Sequence, residues 1–292
     1  MPNATSEPFL VVCLASLVTL LGVDCEAHGT QPGECTASSG QAIIGGSADA
    51  SSIGAVSVAA SVAAIVVDSD AGHPSLCSGV LVADRFVLSA AHCASGIAPG
   101  ALQVSFGLSA PPFASVNECG QPTTYPVVAL ERDPEADVML VELASSVSPS
   151  IPAVGVAQSS PVVGQMGVIA GYGLNKQGTA GKRLFVGTTV VGIGAVATGY
   201  SAPGGEVDAD ICAGDADGDA GSCSAGRLLI TVDSGADAGA CAGDSGGPLF
   251  VREASGWRVA GVLSEGRASC TGEDVYVDLA SIAGWIADHI TS

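Results

Sequence analysis

Three short segments carry side chains that together could perform nucleophilic catalysis. Gly243-Asp244-Ser245-Gly246-Gly247-Pro248 sets a serine among glycines. With no Cβ on its neighbours, such a turn lets backbone N–H groups approach a reacting carbonyl closely. Ser89-Ala90-Ala91-His92-Cys93 sets a histidine after a strand-like run, and Asp137-Val138-Met139-Leu140 sets an acid at the head of an apolar one. A serine hydroxyl is a weak nucleophile at neutral pH. It needs a base to take its proton, and the base needs an acid to hold its tautomer and stabilise the imidazolium. Each residue also has a plainer reading. A histidine beside a cysteine is ordinarily a packed loop residue, and Glu131, Asp133 and Glu135 lie close enough for Asp137 to be one turn acid among several. Only Asp137 directly precedes the apolar run. His28, His73 and His289 fall outside these segments and read as surface or supporting residues.

Positioning such groups requires a rigid frame, and the surrounding sequence predicts a β one. Short Val-rich runs alternate with Gly, Pro, Ser and Asp turns from residue 43 onward, among them 57–67, 79–88, 102–107, 138–143, 162–170, 184–191, 228–232, 248–251 and 259–264. That pattern predicts an all-β sandwich or barrels. Only 279–290 has helical spacing, with Ile282, Trp285, Ile286 and Ile290 on one face. The Ser- and Pro-rich stretch 145–161 reads as a linker between two halves.

The 292 residues are 48% hydrophobic but only 4% aromatic, so a core must be built mainly from Val, Ala, Leu and Ile. The net charge of −20 excludes a nucleic-acid partner, which needs clustered Lys and Arg, and argues against an anionic membrane surface. Residues 9–23 carry no charged side chain, a length that suits the apolar part of a signal peptide. Cys25-Glu26-Ala27 offers small residues for cleavage, so 1–27 is expected to be a signal peptide and the protein secreted, extracellular or periplasmic. Lipid attachment at Cys25 is the alternative. No stable membrane association is expected beyond that segment. Removing Cys13 and Cys25 leaves eight of ten cysteines, an even number that fits disulfides in an oxidising compartment. Residues 206–219 hold six acids and must form a surface loop. Within it Asp215, Asp217 and Asp219 alternate as hard oxygen ligands could, so a solvated loop and a calcium site are both open. No other cofactor is expected.

The three segments, in the order His, Asp, Ser, resemble the trypsin/chymotrypsin family of serine peptidases over residues 43–290. Ile43-Ile44-Gly45-Gly46 is similar to the family's mature N-terminus. Gly171-Tyr172-Gly173 resembles a turn that usually carries Trp, and Asp210-Ile211-Cys212-Ala213-Gly214 the segment before the primary pocket. The resemblance implies two six-stranded antiparallel Greek-key β-barrels, about 43–150 and 155–280, a helix over 279–290, and an active site in the cleft between the barrels. It implies Ser245 as nucleophile, His92 as base and then acid, Asp137 as its partner, and the N–H groups of Gly243 and Ser245 as an oxyanion hole. It implies protein or peptide substrates, and a zymogen in which residues 28–42 are a propeptide. An activating protease would cut before Ile43, and the new amine would pair with Asp244. Gln41-Ala42 precedes that cut, which excludes an activator of tryptic preference.

The resemblance also implies Cys77–Cys93 and Cys241–Cys270 disulfides. Cys212–Cys223 is expected because Cys212 lacks its usual upstream partner, and Cys35–Cys119 by elimination. Gly239, Ala240, Ser264, Gly266 and Asp274 fall on the substrate pocket and its strand. The position that is acidic in trypsins is Gly239, while Asp274 stands where Gly is usual. Cleavage after Arg or Lys through Asp274 and cleavage after apolar or small residues both stay open, and Glu265 replaces a usual Trp nearby. The reading from a different class is a peptidase-like binding protein with a decayed site, but both Ser245 and His92 are retained.

Overall fold

The computed structural model describes residues 43–68, 74–110, 123–195 and 228–290. Among these residues there are twelve strands: β1 (Val62–Val67), β2 (Ser75–Ala83), β3 (Phe86–Ser89), β4 (Leu102–Phe106), β5 (Thr123–Arg132), β6 (Met139–Leu143), β7 (Met166–Gly171), β8 (Leu184–Ala195), β9 (Leu228–Asp233), β10 (Pro248–Glu253), β11 (Gly256–Gly266) and β12 (Glu273–Asp278). They close into two barrels with the strand orders β1-β2-β3-β6-β5-β4 and β7-β8-β9-β12-β11-β10, every named pair antiparallel. The two topologies are the same, and closure leaves neither sheet with an open edge.

The strand β1 shows why the runs read as continuous rather than alternating. All six of its residues are buried. Ala63, Ile65 and Val67 point into the first barrel with Leu81, Val104 and Met139. Val62 and Ala64 instead join a core shared by both barrels, with Val168, Tyr172 and Phe250. A third cluster, including Ile169, Val232, Leu249 and Tyr276, fills the second barrel. A strand with apolar surroundings on both faces gains burial energy on each, so neither face selects polar residues.

Boundaries differ from expectation at several places, and the 79–88 run is two strands, β2 and β3, with a turn between them. The 57–67 run begins as a short helix, α1 (Val56–Ala59), and the strand starts only at Val62. The 162–170 run begins as a tight turn: Gln165 N–H donates to Val162 O at 2.9 Å, and the Gln165 side chain accepts from Val162 N–H at 3.0 Å. Val162 and Val163 are exposed there. The terminal helix is split. Asp278 accepts from Ala280 N–H at 3.0 Å and starts a 3₁₀ turn, Leu279–Ile282, before α2 (Ala283–Ile290). Its Ile282 and Ile286 are buried as the spacing predicts.

The segment 145–161 joins the barrels and is bonded to both. Val154 N–H donates to Leu81 O in β2, and Ala157 N–H to Val259 O in β11, each at 2.9 Å. A second tie is Tyr172, wholly buried, whose hydroxyl donates to Val62 O at 3.1 Å and Gly107 O at 2.8 Å. Among the described residues no helix is long and apolar enough to cross a membrane.

Candidate active site

His92 lies in a single 3₁₀ turn, Ala91–Ala94, that follows β3 directly, while Asp137 lies in the loop from β5 to β6. Both therefore belong to the first barrel. Asp137 is buried and grips the histidine twice: Oδ1 accepts His92 N–H at 2.9 Å, and Oδ2 lies 2.7 Å from Nδ1. A carboxylate there holds the Nδ1–H tautomer and leaves Nε2 as the acceptor. Burial works against the imidazolium, but the hydrogen bond and charge of Asp137 outweigh it, so His92 titrates above its usual 6.5. Asp133 does something else. Its Oδ1 accepts Glu135 N–H at 2.9 Å and shapes the turn.

Ser264, expected only on the substrate strand, has a further contact. Its hydroxyl donates to Asp137 Oδ2 at 2.7 Å, so the second barrel also supports the acid. No signal in the spacing could have shown this, because the two residues are brought together by barrel packing.

Ser245 sits in the connection before β10, on the second barrel. Its carbonyl accepts Ser78 N–H in β2 at 2.8 Å and lies 3.7 Å from Cys93 Sγ, beside His92. The nucleophile loop is therefore pressed onto the first barrel at the histidine. The glycines make this approach possible. A Cβ at Gly246, which has a φ of +80°, would collide with Ser89 Oγ and Ser78 O. Gly243 has a φ of +98°, which L side chains rarely adopt. Among the described residues the N–H groups of Gly243 and Ser245 have no acceptor.

Asp244 points the other way, into the second barrel. It is 1% exposed, with Oδ1 accepting Gly173 N–H at 2.7 Å and Oδ2 accepting Cys241 N–H at 2.9 Å. Gly171 and Gly173 flank the carboxylate so tightly that a Cβ on either would overlap it. Burial pushes its pKa up to about 7, against those two hydrogen bonds. Ile43 is also buried, in the same barrel core as Ala240 and Tyr276.

A sequence profile of the family described as Trypsin matches residues 53–226 and 227–286. This chain belongs to the trypsin family of serine peptidases. Trypsin alpha of Drosophila melanogaster is 26% identical over 290 residues, covering 96% of this chain and 99% of that protein. Transmembrane protease serine 9 of Rattus norvegicus is 31% identical over 229 residues, 73% of this chain but 19% of that much longer protein. A solved structure titled "Structure of GrC" superposes with a TM-score of 0.58 at 20% identity, over 81% of this chain and 96% of that one. The two closed barrels and the short terminal helix are the trypsin-like fold.

The family's disulfides Cys77–Cys93 and Cys241–Cys270 are both formed. The first lies against His92, and because its sulfurs are bonded to each other this Cys–His cluster offers no thiolate to a metal. Cys35, Cys119, Cys212 and Cys223 lie outside the described residues, as do Asp215, Asp217, Asp219 and residues 1–42.

Gly239, Ala240, Gly266 and Asp274 lie close to one another. Gly239 is locked by paired hydrogen bonds with Ile44, each 3.1 Å, and a Cβ there would sit 2.9 Å from Thr271 Cα. The short 270–274 connection thus occupies the space that a side chain at 239 would need. Asp274, in β12 opposite Gly266 of β11, is wholly buried. Its Oδ2 accepts Ala240 N–H at 2.9 Å, while Oδ1 has no hydrogen-bond partner. A Cβ at Gly266 would lie 3.1 Å from that Oδ1. Burial raises Asp274 to about 7, opposed by the Ala240 and Arg267 amides and the Arg267 charge.

Proposed function

We propose that this trypsin-family chain is a secreted serine endopeptidase, made as a zymogen, that works through His92, Asp137 and Ser245. The observation that carries the reading is the His92 Nδ1 to Asp137 Oδ2 contact of 2.7 Å beside a nucleophile loop tied to the same barrel. Ser245 Oγ attacks the scissile carbonyl while His92 Nε2 takes its proton. The carbonyl oxygen becomes an oxyanion held by the N–H groups of Gly243 and Ser245, a contribution of about 3–4 kcal/mol per donor. The C–N bond then breaks and His92 returns the proton to the departing amine. Water, activated by the same imidazole, hydrolyses the acyl-enzyme and restores Ser245. Extended substrate backbone pairs with Ser264 and Gly266.

Residues 1–27 serve as signal peptide and 28–42 as propeptide, and the active form begins at Ile43. Ile43 has a φ of +53° in the uncleaved chain, a strained conformation for a β-branched residue. Hydrolysis of the preceding peptide bond removes that constraint and frees an amine for Asp244. A buried carboxylate without a cation is costly, and the pairing offsets that cost. Asp274 then serves as the pocket acid, and its unpartnered Oδ1 faces the glycine-lined side where an Arg or Lys side chain of the substrate would enter.

A fluorophosphonate probe tests the reading. The processed protein is expected to label at Ser245, the label to vanish in Ser245→Ala, and its rate to collapse in His92→Ala. N-terminal sequencing of the labelled species should begin at Ile43. Absence of labelling in the processed wild type would leave a peptidase-like binding protein instead.

A further inference from the structure

Ser78 is a buried polar residue to which the mechanism above assigns no part, yet it makes two hydrogen bonds to the nucleophile loop. It lies in β2, at 0% exposure, on the barrel opposite that loop. Its hydroxyl donates to Gly243 O at 2.9 Å and accepts Tyr172 N–H at 3.0 Å. Its own N–H donates to Ser245 O at 2.8 Å, and its carbonyl accepts Ser89 Oγ–H at 2.8 Å.

We infer that Ser78 is a positioning residue for the oxyanion hole. This rests on the peptidase reading. The N–H and O–H of one residue bind the carbonyls of Gly243 and Ser245, the two residues whose amides would receive the oxyanion. Each carbonyl belongs to the planar peptide unit that follows its residue, so the two bonds anchor the units on either side of the Asp244–Ser245 peptide, whose N–H is one donor, and the unit next to the Ala242–Gly243 peptide, which carries the other. Gly243 has a φ of +98° and no Cβ to restrain its backbone. The Ser78 hydroxyl supplies the missing restraint from outside the loop. It also links that restraint to Tyr172, whose neighbour Gly173 holds Asp244. The barrel that carries the base therefore also sets the geometry of the electrostatic trap. A preorganised donor stabilises the transition state more than the substrate, so its loss should appear in kcat.

Ser78→Ala removes the hydroxyl and leaves Gly243 O, which is part-buried, without that donor. Steady-state kinetics on the processed protein, normalised by active-site titration, should show kcat lower by about tenfold. KM should stay within about twofold. Affinity for a peptide aldehyde, whose hemiacetal oxygen takes the oxyanion's place on Ser245, should fall in parallel with kcat. Ser78→Gly, which leaves room for a water to replace the hydroxyl, should recover part of both losses and serves if the alanine variant is poorly folded. The inference is overturned if kcat per titrated site and aldehyde affinity both stay within about twofold of wild type. It is equally overturned if the loss lies only in the fraction of titratable sites. Failure of the wild type to label with fluorophosphonate would overturn the peptidase reading instead.

Discussion

Asp244 and Asp274 are held by neighbouring peptide groups: the Cys241 N–H donates to Asp244 Oδ2 and the Ala240 N–H donates to Asp274 Oδ2, both at 2.9 Å. Two buried carboxylates thus share one short stretch of backbone, and the charge on Asp274 raises the pKa of Asp244 further. One faces the proposed activation partner and the other the proposed pocket, so a change of charge at either is felt at the other.

The first prediction concerns specificity and pH. Asp274 titrates at about 7, with burial the main cause and nearby Asp233 adding to it, while Arg267 opposes. Below that pH its carboxyl is neutral and offers nothing to a cation. Matched peptides with Arg or Leu before the scissile bond should show an Arg/Leu ratio of kcat/KM that rises as pH increases through 7. Asp274→Asn should flatten the ratio while Ser245 still labels. A wild-type ratio that does not change with pH would remove Asp274 as the pocket acid.

A second prediction separates stability from activation at Asp244. Its folded pKa of about 7 lies above the ordinary 3.8, so the folded precursor holds this proton more tightly than the unfolded chain does. The resulting stability is present below about 3.8 and is lost as pH rises toward 7. Urea unfolding of the uncleaved Asp244→Asn variant should therefore show a smaller decline from pH 4 to pH 7 than wild type. After processing, the same variant should lose at least about a hundredfold in kcat/KM, because the new amine has no carboxylate to meet. Full activity in that variant would refute the pairing.

The histidine should report on its two supporting contacts unequally. Asp137→Asn turns an acceptor into a possible donor at Nδ1 and disfavours the tautomer that leaves Nε2 basic, so kcat should drop by about 10⁴. Ser264→Ala removes one hydrogen bond to Asp137 and should cost about tenfold. Because His92 titrates above 6.5, wild-type kcat/KM should fall on the acid side with a midpoint above that value. An acid limb centred well below 6.5 would contradict the His92–Asp137 geometry.

Tyr172 offers a test of how the barrels are joined. Tyr172→Phe keeps the ring and removes the hydroxyl that serves Val62 O and Gly107 O. The Val62 and Gly107 carbonyls then lose the one hydroxyl proton they share, and stability should fall by about 1–3 kcal/mol in chemical denaturation. Retention of wild-type stability would show that solvent or neighbouring groups replace it.

Local chemistry made much of this protein legible before any folding was considered. The glycines around Ser245, the segment carrying His92, the apolar run after Asp137 and the amphipathic spacing of Ile282, Trp285, Ile286 and Ile290 each act through near neighbours, so their types and spacing suffice. The runs now seen as β1, β6 and β10 were visible because burial on both faces selects Val, Leu and Ile continuously. Strands β5 and β12 were less visible. Pro126 interrupts one, and Glu273 with Asp274 opens the other, residues that a pattern reading assigns to turns. What tertiary structure alone decided lies between the barrels. Ser264 reaches Asp137, and Ser78 clamps Gly243 and Ser245. The Ser78–Gly243 bond joins residues 165 positions apart, and the Ser264–Asp137 bond residues 127 positions apart. They exist only because two closed sheets meet along one face, which no periodicity within a single strand can encode.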